Sequence, residues 1–350
     1  MDDLLAEVRE SITTVLDEQC SSLAVHSFID GRDALDTRLL QLATELGWLA
    51  VALPEEQGGI GLGAAGLAIL HFELGRAAAP GPFLATSVVL EVLARSGMAG
   101  EAAVAALIAD VLGGAATLAV AAKVEPPRGD APAWLLGEVN ARAALVAGEG
   151  DDLVLIDLAD AAPEPVTIWD ETRAMVSLSL SQYKPLVTLP GARPMFEALF
   201  AIAIAADSAG AARGTLDRTI SYMKEREQFG RPIGSFQALK HRAADHQVNA
   251  IGADQLVRQA VDHIDAGGPG AVLWSAMAKA NATEAAAKIA GDCVQLHGGV
   301  GYTREYDPHL YLKRVRLNEM LLAPNAVLRD QAERAFGAAL RAGHDVLEIA

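Results

Sequence analysis

Two short stretches carry residues whose types and spacing suit the grip of a phosphorylated ligand. In REQFGRPIGSFQ, Arg226 to Gln237, a helix ending in charged residues meets Phe229 and Gly230. Pro232 and Gly234 then force a turn, and a second helix opens around Gln237. An arginine and an aromatic ring this close at a helix end can hold a diphosphate and stack an adenine. The stretch equally suits a plain hairpin between two helices with Phe229 as a core plug, and the residues alone leave both readings open. In QLHGGVGY, Gln295 to Tyr302, a long Ala-rich helix runs into Gly298 and Gly299. A left-handed helix cap accounts for one of these glycines. The other, together with Gly301, exceeds what a cap needs and suggests that something approaches the backbone closely.

Other chemistries find less support. GLGAAG, Gly61 to Gly66, matches the GxGxxG dinucleotide pattern, but PEEQGGI separates it from any strand and no βαβ alternation follows. It reads as a surface turn entering a helix. His241 and His246 lie five residues apart, which is wrong for two ligands on one helix face, and HExxH is absent, so no metal site is expected. No GxSxG elbow, Walker loop or Cys–His signature occurs. The two cysteines, Cys20 and Cys293, stand far apart, which excludes a disulfide framework and suits a reducing compartment. A formal charge of −17 argues against nucleic acid or an anionic membrane as the partner, because phosphate-rich surfaces need basic ones.

Three regions of different texture must position these stretches. Residues 1–113 show apolar residues at helical spacing, as in LLQLATELGWLAVAL and AAGLAILHFELGRAA, and are expected to form a helical domain. Residues 114–190 alternate short apolar runs such as TLAVAAKV, DDLVLIDL and PVTIW with turn-formers, the pattern of a small, shortened β domain. Residues 191–350 return to long helices, the first expected to run to Glu227, whose small-residue faces suit an antiparallel four-helix bundle. The longest apolar run, ALFAIAIAA, stops at Asp207, and MDDLLAEVRE lacks a signal pattern, so a cytoplasmic protein with no membrane partner is expected.

Taken in order, Arg226-x-x-Phe229-Gly230, FQALKHRAAD and Gln295-x-x-Gly298-Gly299-x-Gly301-Tyr302, with Glu305 nearby, resemble the acyl-CoA dehydrogenase family. ELGWLAVALPEEQGGIGL and HFELGRAAAPGPF resemble its first helical domain. The resemblance covers nearly the whole chain. It implies a mainly α fold with a middle β domain and a C-terminal four-helix bundle, assembled as a dimer of dimers. It also implies FAD as cofactor, with a Glu taking the α proton of an acyl thioester and the flavin taking the β hydride. In that family the Arg-x-x-Phe-Gly and Gln-x-x-Gly-Gly segments grip the ADP half of a neighbouring subunit's flavin. The resemblance therefore assigns Arg226 to the diphosphate, Phe229 to the adenine, and Gln237, Gln295, Gly298 and Gly299 to the same cofactor surface.

The departures from the family pattern are as informative. Its base stands in a Tyr-Glu-Gly-Thr stretch that falls here on Leu321, Leu322, Ala323 and Pro324, so the base position is Leu322. The minority position on an earlier helix falls on Phe200, with Ala201 where an Arg is usual. Glu319 and Glu197 each lie three residues before one of these positions, about 4.5 Å of helical rise away. The segment that touches flavin survives only as VEPPRGDA, with Val124 in place of a Thr while Glu125, Pro126 and Gly129 remain. A Trp-Ile-Thr/Ser segment against the flavin ring has no counterpart, and Gly137 to Ile156 resembles that region after shortening.

These features give the expectation of a non-catalytic subunit in a heteromeric acyl-CoA dehydrogenase. A homologous catalytic partner would share its FAD in an α2β2 tetramer, bind most of the acyl-CoA, and pass electrons to an electron-transfer flavoprotein. Bulky CoA thioesters such as steroid side-chain intermediates are the implied substrates. The alternatives are an active homotetramer with a displaced base and a flavin-free scaffold of the same fold.

Overall fold

The computed structural model describes residues 2–123, 131–180, 183, 185–267 and 270–345. The N-terminal helices are α1 (Asp2–Gln19), α2 (Ser22–Ile29), α3 (Leu35–Glu45), α4 (Gly63–Arg76), α5 (Phe83–Arg95) and α6 (Ala102–Leu112). FLATSVVLEVLA lacks Gly and Pro and is buried at every position from Phe83 to Ala94, which makes α5 a central helix rather than a surface one. GLGAAG opens α4, where Ala64 and Ala65 donate their backbone N–H groups to the Asp265 carboxylate at 2.8 and 3.2 Å. The chain's own acid thus occupies the place a dinucleotide phosphate would take.

Among the described residues seven strands follow: β1 (Leu118–Ala121), β2 (Ala133–Leu136), β3 (Ala143–Ala147), β4 (Leu153–Asp157), β5 (Glu164–Val166), β6 (Met175–Leu178) and β7 (Pro185–Leu189). They form one sheet in the order β5-β6-β2-β1-β3-β4-β7, antiparallel except for the parallel pair β1–β3. LAVA and AALVA, the runs of that parallel pair, are almost wholly buried, as strands covered on both faces require. The PVTIW run behaves differently from a simple strand. β5 stops at Val166, and Thr167 to Trp169 leave the sheet.

The C-terminal helices are α7 (Arg193–Glu225), α8 (Gln237–Asp265), α9 (Ala271–His297), α10 (Pro308–Met320) and α11 (Asn325–Arg341). α7 is long and apolar enough to cross a bilayer, yet 89% of its most apolar window is buried inside the fold. It crosses α4 with backbones in contact. A Cβ on Gly75 would sit 2.0 Å from the Asp207 carbonyl oxygen, and one on Gly210 would sit 1.9 Å from that of Phe72.

At this crossing Asp207, fully buried, gathers partners from two other segments. Arg314 of α10 reaches it through Nη2 at 2.6 Å and Nε at 3.1 Å, and Asn318 donates to it at 2.8 Å. Arg173, between β5 and β6, places Nη2 2.8 Å away as an ion pair rather than an aligned hydrogen bond. Arg314 also donates to the Ala79 carbonyl and to Thr172 Oγ1. One buried carboxylate thereby ties the first helical region, the sheet and the bundle together.

Candidate functional site

α7 ends two residues earlier than the charge pattern suggests. The Arg226 N–H still bonds to the Tyr222 carbonyl, but Glu227 and Gln228 (β8) turn into a ladder with Arg231 and Pro232 (β9). Phe229 and Gly230 make the two-residue loop, both at positive φ, +55° and +77°, as in an I′-type hairpin turn. Phe229 is 93% exposed, so it is no core plug. A non-glycine residue in this region costs about 1–2 kcal/mol, and here no burial offsets it.

The Gly-Gly turn lies beside this hairpin. Met223 of α7, Ile233 after β9 and Leu296 of α9 form a small apolar cluster, with Phe236 and Leu239 packed against it. The Tyr222 ring stacks on His297 at 4.2 Å, fixing the two helix ends to each other. Gly298 closes α9 with φ +65° and ψ −143°, a combination essentially confined to glycine. Gly301 serves the chain itself, since a Cβ there would lie 2.4 Å from the Val294 carbonyl oxygen. A Cβ on Gly298 or Gly299 would meet nothing within 4 Å, so these two leave an open backbone face. Arg226, Phe229, Gln237, Gln295, Gly298 and Gly299 are all exposed at this end of the bundle.

Charge marks the same surface. Among the described residues, Lys123, Arg193, Lys224, Arg226, Arg231, Lys240, Lys279, Lys288, Arg334 and Arg341 have no ion pair with an acid. Four of the ten, Lys224, Arg226, Arg231 and Lys240, lie between the end of α7 and the start of α8. In a chain of net charge −17 that concentration favours an anion. Arg231, which motif reasoning passed over, rests on the Phe236 ring at 4.1 Å. Replacing Phe229 with glycine tests the surface directly. The isolated chain should become more stable by up to about 1 kcal/mol as the strain is relieved, while flavin retention in an assembled complex should fall; urea melts and flavin absorbance check the two halves.

The positions expected to hold a base lie elsewhere. Phe200 is fully buried and stacks on Phe196 at 5.4 Å. Leu322 is buried at φ +66°, and its N–H donates to the Ala122 carbonyl at 2.8 Å, docking the end of α10 on β1. Its side chain borders a void of about 10 Å³ shared with Glu197, which Gln331 holds at 2.9 Å. Neither position has room for a substrate.

A much larger cavity of about 1020 Å³ opens between the sheet and α10. Ala133, Val146 and Met175 line it from the sheet, and Leu317 and Met320 from the helix. Thr167, Ile168 and Trp169, from the segment that leaves β5, complete the wall, as does Trp134. Two carboxylates border it. Asp170 accepts from the Thr172 N–H and hydroxyl, and Glu319 is paired with Arg316 at 2.7 Å. Val124, Glu125, Pro126 and Gly129 of VEPPRGDA lie outside the described residues.

Comparison with known proteins decides the family. Residues 3–106 match the acyl-CoA dehydrogenase N-terminal domain, and residues 198–337 match the acyl-CoA dehydrogenase C-terminal domain. Acyl-CoA dehydrogenase IpdE2 of Mycobacterium tuberculosis is 34% identical over 340 residues, covering 92% of this chain and 94% of its own length. The chain belongs to the acyl-CoA dehydrogenase family. Acyl-CoA dehydrogenase FadE34 of the same organism is 33% identical over 87% of this chain but only 43% of its own length. Among solved structures, a variant of the Tcur3481–Tcur3483 steroid ACAD superposes with a TM-score of 0.86 at 27% identity, covering 97% and 99% of the two chains. The ChsE4–ChsE5 complex of M. tuberculosis gives 0.82 at 24% identity over 97% and 98%, a likeness of fold.

This acyl-CoA dehydrogenase has a mainly helical fold with a central sheet, and its family is one of FAD-dependent oxidoreductases. The fit to FAD differs between its two ends. The open glycine face, the unpaired cations and the exposed Phe229 match an adenine diphosphate. No carboxylate free of an internal partner faces the large cavity among the described residues.

Proposed function

We propose that this acyl-CoA dehydrogenase is the non-catalytic subunit of a heteromeric enzyme that desaturates a bulky CoA thioester, with a steroid side-chain acyl group as the substrate class. The observation that carries it is Phe229, an aromatic ring held at positive φ and left almost fully exposed, with only an edge-to-face contact to Phe236 at 6.1 Å inside the chain. A surface of this kind serves a ligand held largely by another polypeptide. FAD, when bound, supplies the hydride acceptor for α,β-dehydrogenation. Arg226 and Arg231 would neutralise its diphosphate, Phe229 would cover the adenine, and Gly298 and Gly299 would let the backbone come close, with Gln237 and Gln295 beside them. The partner supplies the Glu base and the flavin-ring contacts and binds most of the acyl-CoA, in an α2β2 assembly that passes electrons to an electron-transfer flavoprotein.

The relatives support this reading. The Tcur3481–Tcur3483 and ChsE4–ChsE5 structures are named for two components each. In FadE34 a segment like this chain takes up 43% of the length, which leaves room in one polypeptide for a second unit of similar size.

Expressed alone, the chain should be colourless and inactive. Co-expressed with its catalytic homologue, it should give a yellow complex with one FAD per heterodimer. A yellow, active homotetramer of this chain alone would overturn the reading. Glu319 is the one observation on the side of such a homomer, since it borders the large cavity, and Arg316 already occupies it as an ion pair.

Leu322→Glu should produce no dehydrogenase activity in the isolated chain. The new carboxylate would be buried beside the 10 Å³ void, outside the 1020 Å³ cavity. Turnover of any acyl-CoA by that variant would show that position 322 does reach a working flavin and substrate site within this chain.

A further inference from the structure

We infer that the outer face of α8 pairs with the same face of a second copy of this chain, antiparallel about a two-fold axis at Val248. In the proposed α2β2 assembly this contact joins the two halves. That placement rests on the heteromeric reading, whereas the pairing itself does not.

α8 carries two apolar stripes. Ala250, Ala253, Val257 and Ala260 are buried against the bundle. Two residues off, and so on the other side of a helix that turns about 100° per residue, lies an outer stripe. His241, Ala244, Val248, Ile251, Gln255 and Arg258 are all exposed there. They follow one another at steps of 3, 4, 3, 4 and 3 residues, the spacing of a seam between two helices. The stripe spans about 25 Å of helix. Its centre is apolar, with Val248 69% exposed and Ile251 50% exposed, whereas a helix face that meets only water is polar.

Gly252, beside Ile251, marks the same face. Inside α4 and α7, Gly75, Gly210 and Gly214 each serve a helix crossing. A Cβ on them would lie 2.0, 1.9 and 2.1 Å from a carbonyl oxygen of the other helix. Gly252 is exposed, and a Cβ there would meet nothing within 4 Å. Glycine inside a helix costs stability relative to alanine, and the space it keeps clear is left empty by the rest of this chain.

The stripe fits itself. With the axis at Val248, Ile251 of one copy faces Ala244 of the other, a large residue against a small one. Asp245 comes against Gly252, where no side chain competes, and His241 against Gln255. On the flank, Arg242 and Asp254 come opposite each other. Run parallel, the two helices would set Asp245 on Asp245 and Arg258 on Arg258, and like charges brought together oppose association. They would also set Ala244 on Ala244 across a gap. An antiparallel, isologous contact is what two copies of one chain related by a two-fold axis require.

Light scattering on the full chain expressed alone should show a dimer that dissociates on dilution. Val248→Asp should weaken self-association by about a hundredfold or more, because the pairing would bury two carboxylates without partners. Gly252→Gln should weaken it too although the substitution favours helix, which separates docking from folding. Cysteines read the register, since Cys20 and Cys293 are buried and an introduced thiol would be exposed. Val248→Cys should link to itself on mild oxidation. Ala244→Cys and Ile251→Cys should each stay unlinked alone and link when mixed, because a disulfide needs Cα atoms within about 7 Å.

A chain that stays monomeric at every concentration, or an Ile251→Cys chain linked to itself, would overturn the inference. In the complex with the catalytic homologue, Val248→Asp should leave heterodimers that keep one FAD each. Loss of the homologue from that variant would give this face to the homologue and overturn the inference as well. A tetramer that survives the substitution would remove this inference alone. A homologue that never joins the native chain would instead remove the functional reading and leave the pairing standing.

Discussion

Replacing Asp207 with alanine is expected to destabilise the chain by about 3–5 kcal/mol, the cost of breaking a buried ion pair by deleting one partner. The carboxylate is fully buried at the α4–α7 crossing and answers two guanidiniums, those of Arg173 and Arg314. Among the described residues, its removal leaves the two guanidiniums with Asp170, 3.9 Å from Arg173, as their one remaining ion-pair partner. Burial by itself would raise the pKa of Asp207, but Arg173, Arg314 and the bond from Asn318 outweigh it and hold the carboxyl well below the usual range. The contribution is therefore fully present above about pH 4, the ordinary value of an unfolded aspartate. It is lost as pH falls through the depressed folded value. Asp207→Asn keeps the shape and removes the charge, so its stability gap from the native protein should be widest near neutrality and close in strong acid. Urea unfolding midpoints from pH 7 to pH 2 measure this; a gap independent of pH would mean that packing, and not charge, holds the crossing.

The sequence carried the fold further than the site. Helical periodicity in Arg193–Glu225, Gln237–Asp265 and Ala271–His297 is long and unbroken, so the bundle could be read from spacing alone. The β domain was readable as alternation, but β5 ends at Val166 because Thr167 to Trp169 turn toward the cavity. A run of β-branched and aromatic residues cannot reveal that turn. Motif order singled out Arg226, Phe229 and the glycine pair, and plain counting singled out Leu322 and Phe200. What the motif left open was exposure: Phe229 suited either a core plug or an exposed ring, and only the β8–β9 hairpin places it at a solvent-facing tip. The charge cluster on Asp207 joins residues more than a hundred positions apart, such as Arg314 and Asn318, and left no trace in spacing. Arg231 was hidden for another reason. Its stacking on Phe236 depends on the β8–β9 ladder, and two-residue strands are too short to show a period.

Arg226→Ala in the assembled heteromer is expected to weaken FAD retention by roughly tenfold to a hundredfold, as the loss of a hydrogen bond to a charged group is worth about 1.5–3 kcal/mol. The effect follows from what Arg226 lacks. It is exposed, it caps α7 only through its backbone, and it has no acidic partner among the described residues. Its side chain thus contributes little to the stability of the isolated chain, and a loss of flavin from a complex that remains assembled points to the ligand itself. Arg213, exposed on the same helix but already paired with Asp217 at 2.8 Å, is the control, and Arg213→Ala should leave flavin content unchanged. Arg226→Lys should fall between native and alanine, since an ammonium keeps the charge but loses the planar fork that matches two phosphate oxygens. The native complex should also release flavin more readily as salt rises, with the Arg226→Ala complex less sensitive, because an exposed charge contact is screened over about 10 Å at 0.1 M ionic strength. Flavin absorbance of each purified complex, normalised to protein, reads all four comparisons. Equal flavin content in the native and alanine complexes, at low and high salt alike, would move the diphosphate away from the end of α7 and remove the central support for a cofactor shared between two chains.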